Sequence, residues 1–441
     1  NGADGLGGVV IAGMALQLLS IALIACCVLH ARTRRVRGND RLLAALAAGV
    51  AILALVQLLP LPPSIWTALA GRSALVADMR SIDVLPGWHA LSLSPIASER
   101  SLLSLLPALA IFLGARSTSG QGRKRLVQVA MLFGLFSALL GIAQIGGGPD
   151  SELRVFRPTN PSDAVGLFAN RNHYGSLLAM LLPFSLGWTI GEFRRRRDAG
   201  PAAMIPVLLP CVATFLLVIG ILLSQSRAGL LLMAIAAMGG LVFAWRSGIG
   251  GRVVLVFGIC GLLAGGLALE IAGNDVVSRL TAIDPATDSR WPVQHTTMDA
   301  VHRYGVFGSG LGTFVNAYQS VAPDDQVDQN AVVNHANNDY LELLLEAGWP
   351  GAVLVALFLA WYGRVSIPLW FPGRPPGFAL MAARAASIAV FLALIHAGLE
   401  YQLRKPGIML LFGLCCALIS VPMERAGTGG FRRVRGDAGT R

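Results

Sequence analysis

The sequence predicts an all-α integral membrane protein with about 11 or 12 transmembrane helices and a large periplasmic loop that contains short amphipathic helices. Of its 441 residues, 54% are hydrophobic and only 13% are charged, whereas about a quarter is charged in soluble domains. Apolar runs of about 20 residues, the length that crosses a hydrocarbon core, recur along the whole chain. These observations exclude a soluble globule, and we expect residues 1–441 to form a single polytopic membrane domain.

Eleven apolar runs are predicted to span the membrane. They cover residues 6–29, 42–60, 102–115, 126–147, 174–191, 201–223, 229–245, 253–273, 340–362, 385–403 and 407–422. Long segments, at 61–101, 148–173 and 274–339, connect them on one side, whereas the connections on the other side are short and basic. Function is therefore predicted on the side of the long segments.

The net charge of +11 orients the protein and does not indicate a nucleic-acid partner. The short loops and the C-terminal tail hold 23 of the 35 Lys and Arg residues. Because such an excess marks the cytoplasmic side, loop 274–339 is predicted to lie on the opposite side of the membrane. The six cysteines all lie within apolar runs, which argues against a disulfide framework and a cysteine metal site.

Three local patterns predict structure within the long segments. Ser94 and Pro95 are typical of a helix start, with a capping side chain followed by proline. Trp291 and Pro292 open a stretch with apolar residues at helical spacing, which predicts an amphipathic helix at the membrane surface. The glycine-rich residues 308–314 lack the spacing of a phosphate-binding loop, so a turn packed closely on neighbouring helices is the better interpretation.

Polar clusters at the membrane boundary are the candidates for chemistry. Arg227 lies in a short turn between two apolar spans, where it could contact lipid headgroups or an anionic ligand. Residues 170–173 could donate hydrogen bonds to a sugar or phosphate, or cap the following helix. Arg290 begins the amphipathic helix, and it too could simply contact lipid headgroups. Residues 334–342 carry more polar side chains than one helix cap requires, so we favour a functional role there.

At these residues the chain resembles the O-antigen ligase and polymerase superfamily, bacterial membrane glycosyltransferases that use glycans carried by undecaprenyl diphosphate. The resemblance covers roughly residues 90–420. The motifs that carry it are L-S-L-S-P at 91–95, N-R-N-H at 170–173, S-Q-S-R-A-G at 224–229, S-R-W at 289–291, G-S-G-L-G-T-F at 308–314 and H-A-N-N-D-Y-L-E-L-L-L-E-A-G-W-P-G at 335–351. In this order they are specific, although each alone means little.

The resemblance implies roles for these residues. Arg227 and Arg290 match arginines that bind the diphosphate, and a planar guanidinium suits that task. The implied contacts to donor and acceptor extend to further residues, which are Asn170, Arg171, Asn172, Asn337, Asn338 and Asp339. The partners implied are the lipid-linked donor, a lipid or glycan acceptor and membrane lipids. No cofactor and no metal are expected, because arginines already supply positive charge to the leaving group.

The catalytic base is the point at which the chain departs from the family. The ligase pattern places a histidine where this chain has Asn337, and an amide cannot accept a proton. Three accounts remain open: His335 is the base, Asp339 serves instead, or the base has been lost by substitution. In an ideal helix, residues 335 and 337 would point about 200° apart and could not both face one substrate.

The resemblance implies a glycosyltransferase of the bacterial inner membrane that acts at the periplasmic face, inverts the anomeric configuration and is independent of metal. Inversion is expected because no pair of carboxylates of the kind that retaining enzymes use is evident. The alternative is a flippase of polyprenyl-linked glycans, in which the same arginines bind diphosphate without chemistry.

Overall fold

The chain is a bundle of α-helices with one very short pair of strands. The computed structural model describes residues 3–31, 38–196, 200–248, 290–323, 332–371 and 377–421, together with residues 198 and 251. In chain order the α-helices are α1 (Ala3–Ala31), α2 (Gly38–Leu58), α3 (Pro63–Trp66), α4 (Ser73–Ser81), α5 (Pro95–Ser104), α6 (Leu106–Ser117), α7 (Gly120–Gly146), α8 (Arg171–Arg196), α9 (Leu208–Leu223), α10 (Arg227–Arg246), α11 (Arg290–Tyr304), α12 (Phe314–Gln319), α13 (Asp339–Ser366), α14 (Phe378–Ala397) and α15 (Pro406–Ser420).

Shorter elements connect these helices. The 3₁₀ turns are Pro201–Val207, Gly305–Phe307, Ile367–Trp370 and Gln402–Arg404. Strand β1 (Pro60–Leu61) pairs with strand β2 (His89–Ala90) in antiparallel fashion.

The described helices confirm the predicted all-α membrane class. Eight helical segments in these ranges are long and apolar enough to cross a membrane, and α15 and the apolar part of α2 (Ala45–Leu58) are shorter. These ten segments coincide with ten of the eleven predicted spans. The predicted span 253–273 and, within loop 274–339, residues 274–289 and 324–331 lie outside the described residues.

Helix α8 is the centre of the bundle. It packs against α9, α10 and α14, and most of its side chains between His173 and Gly187 are buried. Its first turns touch α10 closely, because a Cβ on Gly175 would lie only 3.4 Å from the Cα of Gly229. Small residues allow such close approach between membrane helices. The start of α8 is thereby held against the start of α10.

The predicted span 385–403 is wrong at both ends, since α14 covers Phe378–Ala397. Arg384 was assigned to a loop because a charge inside a span is costly. In the structure the Arg384 side chain is buried within α14, where its guanidinium lies over the rings of Phe243 and Trp370 and Nε donates to the carbonyl of Leu369. Aromatic faces and a backbone acceptor offset the cost of that charge.

The start of α5 and the amphipathic helix α11 form as the sequence predicts. The Ser94 side chain accepts a hydrogen bond from the Ala97 amide, and Pro95 is the first helical residue. In α11 the buried face includes Thr297, Ala300 and Tyr304. The predicted span 102–115 is the exception in this region, because the helix begins earlier, at Pro95, and is interrupted at Leu105 between α5 and α6.

The glycine-rich turn at 308–314 packs against a break in α13, in agreement with its interpretation as a turn packed closely on neighbouring helices. Gly348 interrupts α13 with a φ of 59°, and Pro350, which has no amide hydrogen, leaves the Glu346 carbonyl without a helical donor. The Gly310 amide donates to that carbonyl at 2.9 Å, and the Ser309 amide donates to the Leu345 carbonyl at 2.9 Å. These amides are used inside the protein, which argues against phosphate binding by this turn.

Gly348→Ala should destabilise the protein by about 1–3 kcal/mol, because a residue other than glycine is strained at this φ. A Cβ at this position would also lie 2.0 Å from the carbonyl oxygen of Val306. The matched control is Gly363→Ala in the same helix, where the nearest atom to an added Cβ is 3.9 Å away. Thermal unfolding in detergent measures both, and equal melting temperatures for the two variants would contradict the expectation.

Candidate active site at the helix N-termini

Four helices begin around one short segment, residues 398–405, which connects α14 to α15. The Ser226 hydroxyl at the start of α10 donates to the Asn172 side chain of α8 at 2.7 Å. Asn172 in turn donates to Glu400 at 2.6 Å. Helix α13 joins the same segment, because Asp339 accepts a hydrogen bond from the Leu403 amide at 3.1 Å. Helix N-termini carry partial positive charge, so this arrangement favours an anionic ligand.

Glu400 connects α11 to this group. Its carboxylate is 1% exposed, and the Arg290 guanidinium lies 3.3 Å from it. Arg290 also donates to the Leu399 carbonyl at 3.2 Å. Arg290 and Asn172, both predicted from the sequence as site residues, therefore share one buried carboxylate. Glu400 falls within the predicted span 385–403, whereas in the structure it lies in the turn after α14.

His335 is held by a carboxylate and an aromatic ring. Its Nδ1 lies 2.9 Å from Oε1 of Glu342, and its ring stacks on Tyr401 with centroids 3.9 Å apart. The second oxygen of Glu342 accepts from the Ala336 amide at 3.0 Å. The His335 side chain remains 24% exposed. This is the arrangement of a general base that is oriented by a carboxylate.

Tyr401 links His335 to the start of α8. Its ring meets the ring of His173 edge to face, with centroids 4.9 Å apart. The Lys405 ammonium lies 4.5 Å from the Tyr401 ring centre, and burial is the main cause that lowers the pKa of this lysine. The predicted base therefore lies beside the N-R-N-H motif, although the two are far apart in the sequence.

Arg404 is a partly buried cation, with its side chain 26% exposed, whose role was not predicted from the sequence. Three carboxylates on one face of α13 surround it, with Asp339 at 3.4 Å, Glu342 at 3.2 Å and Glu346 at 3.0 Å. Burial alone would lower the pKa of Arg404, but these carboxylates raise it above its ordinary value. The sequence does contain a signal for such a cation. Acids at positions i, i+3 and i+7 share one helix face, and acids grouped near a membrane need a cation to balance their charge.

Arg227 is the exposed first residue of α10. It follows Ser226, whose side chain caps the helix by accepting from the Gly229 amide. Among the described residues, Arg227 has no hydrogen bond or ion pair. Its guanidinium is thus available to a ligand beside the Asn172 and Glu400 contacts.

Asn170 and Arg171 have structural partners. Asn170 caps α8, since its side chain accepts from the Asn172 amide at 2.8 Å. Asn172, another candidate for the cap among residues 170–173, instead bridges Ser226 and Glu400. Arg171 forms an ion pair of 2.6 Å with Asp163, which is buried. Contacts from Asn170 and Arg171 to a substrate therefore stay predictions.

Residues 335–338 precede α13 and are not helical. Asn338 caps that helix by accepting from the amides of Tyr340 and Leu341. Asn337 adopts a φ of 53°, a conformation in which asparagine is enriched. Because this segment is not helical, the angle of about 200° between residues 335 and 337 of an ideal helix does not apply to them.

Part of the chain matches a known protein family. Residues 212–356 match the family model described as O-antigen ligase. Over these residues the chain is similar to O-antigen ligases. The resemblance to the O-antigen ligase and polymerase superfamily is thus confirmed, over about a third of the chain. The match includes Arg227, Arg290 and His335, whereas residues 170–173 and 398–405 lie outside it. No curated protein matches the chain.

The matched family is one of glycosyltransferases of the O-antigen ligase or polymerase type, so the match indicates this class of activity. Such an activity uses a glycan-linked lipid donor and an acceptor. The apolar helices make it a multi-pass membrane protein.

Proposed function

We propose that the protein transfers a glycan from undecaprenyl diphosphate to a lipid or glycan acceptor at the periplasmic face of the bacterial inner membrane. The observation that carries the proposal is the meeting of Arg290, Asn172 and the His335–Tyr401 stack at one segment, residues 398–405. Two of the three arginines predicted from the sequence belong to the region that matches the family. The excess of basic residues in the opposite loops supports the periplasmic orientation.

The arginines stabilise the leaving group in this proposal. Breaking the bond between sugar and diphosphate places negative charge on the diphosphate, which fixed cations stabilise. Arg227 is exposed at the start of α10, so its paired donors can reach phosphate oxygens. Arg290 is held by Glu400, which fixes the guanidinium before the donor binds. The positive ends of α8 and α10 add to the same potential.

His335 accepts the proton of the acceptor hydroxyl. Glu342 contacts Nδ1, so a neutral imidazole that donates from Nδ1 keeps Nε2 as a proton acceptor. Asp339 is a weaker candidate, because its carboxylate already accepts from the Leu403 amide and pairs with Arg404. His335 must be neutral to act, and Glu342 then balances the imidazolium that forms.

The ion pairs of the buried carboxylates are consistent with a single displacement that inverts the anomeric carbon. Glu342 and Glu346 pair with Arg404, and Glu400 pairs with Arg290. A carboxylate engaged by a cation in this way is a poor nucleophile for a covalent glycosyl intermediate. The acceptor hydroxyl is therefore proposed to attack the sugar directly.

The test is transfer by the purified protein in lipid nanodiscs. The donor is undecaprenyl-diphosphate glycan, and lipid A core and free glycan repeat units are offered separately as acceptors. Mass spectrometry should detect an acceptor enlarged by the glycan together with released undecaprenyl diphosphate. An intact donor with every acceptor, in a sample that is folded and binds donor, would contradict transfer and favour lipid transport instead.

Activity should survive EDTA, because arginines supply the positive charge that a divalent cation supplies in other transferases. The acidic residues 324, 325 and 328 are the alternative metal site in the sequence, and they lie outside the described residues. Transfer rates before and after chelation measure this. A loss of activity that magnesium or manganese restores would contradict the expectation.

A further inference from the structure

A cavity of about 210 Å³ lies between the segment before α4 and the turn after α11. Its lining includes Arg72, Leu91, Tyr304, Val306 and Phe307. None of the residues assigned to glycan transfer lines it. The cavity is therefore a separate feature of the fold.

Arg72 is the single charged residue of this lining, and it is only 1% exposed. Its Nη2 donates to the Leu91 carbonyl, whereas Nε and Nη1 are buried without any hydrogen-bond partner. Across the described ranges, no carboxylate pairs with it. A buried guanidinium whose donors lack acceptors destabilises the fold. Its position at a cavity therefore indicates a ligand that supplies the missing hydrogen-bond acceptors.

The surroundings hold the guanidinium in one place. The rings of Trp66 and Tyr304 flank it, with centres 5.6 Å and 5.7 Å from its central carbon. Trp66 is anchored by a hydrogen bond of 3.0 Å to the Ala90 carbonyl. Gly71, with a φ of 76°, permits the approach of Tyr304, since a Cβ there would lie 2.7 Å from that ring. The donors are thus fixed before a ligand arrives.

The chemistry of the lining selects the ligand. Two donor nitrogens of a planar guanidinium, Nε and Nη1, match the oxygens of a phosphate group. Val306 and Phe307, which line the same cavity, are each more than half exposed. An apolar rim beside a cationic interior fits an amphiphile whose chains lie along the rim and whose phosphate enters the cavity.

We propose that the cavity at Arg72 is a binding site for a phosphate group, carried by a membrane lipid. The guanidinium donates from Nε and Nη1 to phosphate oxygens, and Val306 and Phe307 contact the acyl chains. The site lies apart from the arginines assigned to the diphosphate of the donor, and its occupancy does not depend on glycan transfer.

The experiment compares two lipids that differ only in the phosphate group. Delipidated full-length protein is titrated with phosphatidic acid or with diacylglycerol of the same chains, and binding is measured by native mass spectrometry. Phosphatidic acid should bind at least about tenfold more weakly to Arg72→Met than to the wild type, because a charge-assisted pair of hydrogen bonds is lost. Arg80→Met, an exposed arginine of α4, is the matched control and should bind as the wild type does.

A second variant covers the case in which Arg72→Met does not fold. Val306→Glu places a carboxylate at the exposed rim and should weaken phosphatidic acid binding while leaving the melting temperature unchanged. Inorganic phosphate is titrated as a separate arm. If it binds in an Arg72-dependent manner and phosphatidic acid does not, the phosphate site stands and the lipid source is overturned. Equal binding of diacylglycerol and phosphatidic acid, or no difference between folded Arg72→Met and wild type, overturns the site itself.

Discussion

Arg227→Ala should lower the rate of glycan transfer by about 10²- to 10³-fold, the usual effect of removing one preorganised donor to developing charge. Arg227 is exposed at the start of α10 and has no partner in the described part of the chain, so its loss leaves no buried charge uncompensated. The melting temperature should therefore stay close to that of the wild type. Transfer from undecaprenyl-diphosphate glycan, measured by mass, gives the rate.

Arg246→Ala is the matched control for this variant, because Arg246 is the last residue of the same helix and is also exposed. It should retain activity, since it lies at the opposite end of α10. Arg227→Lys should recover only a small part of the rate, because an ammonium lacks paired planar donors. Wild-type activity in Arg227→Ala would remove this residue from the mechanism.

Arg290 differs from Arg227 because it is the partner of buried Glu400. Arg290→Ala should also abolish turnover, but part of the loss will come from an unpaired carboxylate. The double variant Arg290→Ala with Glu400→Gln removes that carboxylate charge. Activity that returns in the double variant would show that Arg290 acts only through Glu400.

His335→Ala should lower the rate by about 10²- to 10⁴-fold, the range for loss of a general base. Glu342→Gln should lower it less, because the amide still contacts the imidazole but no longer balances its positive charge. His302→Ala, an exposed histidine of α11, is the control and should remain active.

Asn337→His separates the remaining accounts of the base. The φ of 53° at this position tolerates histidine, so the variant should fold. If His335 is the base, the added histidine changes the rate little and does not rescue His335→Ala. A large gain of activity from a nearly inactive wild type would instead identify residue 337 as the missing base. An active His335→Ala protein would exclude His335.

The positions of the spans were readable from the sequence because hydropathy is a local quantity. A run of apolar residues has the same transfer free energy whatever it packs against, so ten spans coincide with described helices. The start of α5 at Ser94 and Pro95 was predicted for the same reason, since capping depends on adjacent residues. The motif around Arg227 and the polar run before α13 were also local signals.

The partners of these residues depended on the tertiary structure. Asn172 and Glu400 meet although 228 positions separate them, and no local pattern relates the two. Arg384 fell in a predicted loop, whereas in α14 the rings of Phe243 and Trp370 and the Leu369 carbonyl offset the cost of its charge. Arg404 was not predicted, because its role is to pair with three carboxylates of another helix, and no local pattern shows those contacts. Sequence determined which segments enter the membrane and which polar residues stand at its edge. Long-range packing decided which of the described charges are paired, because their partners come from distant parts of the chain.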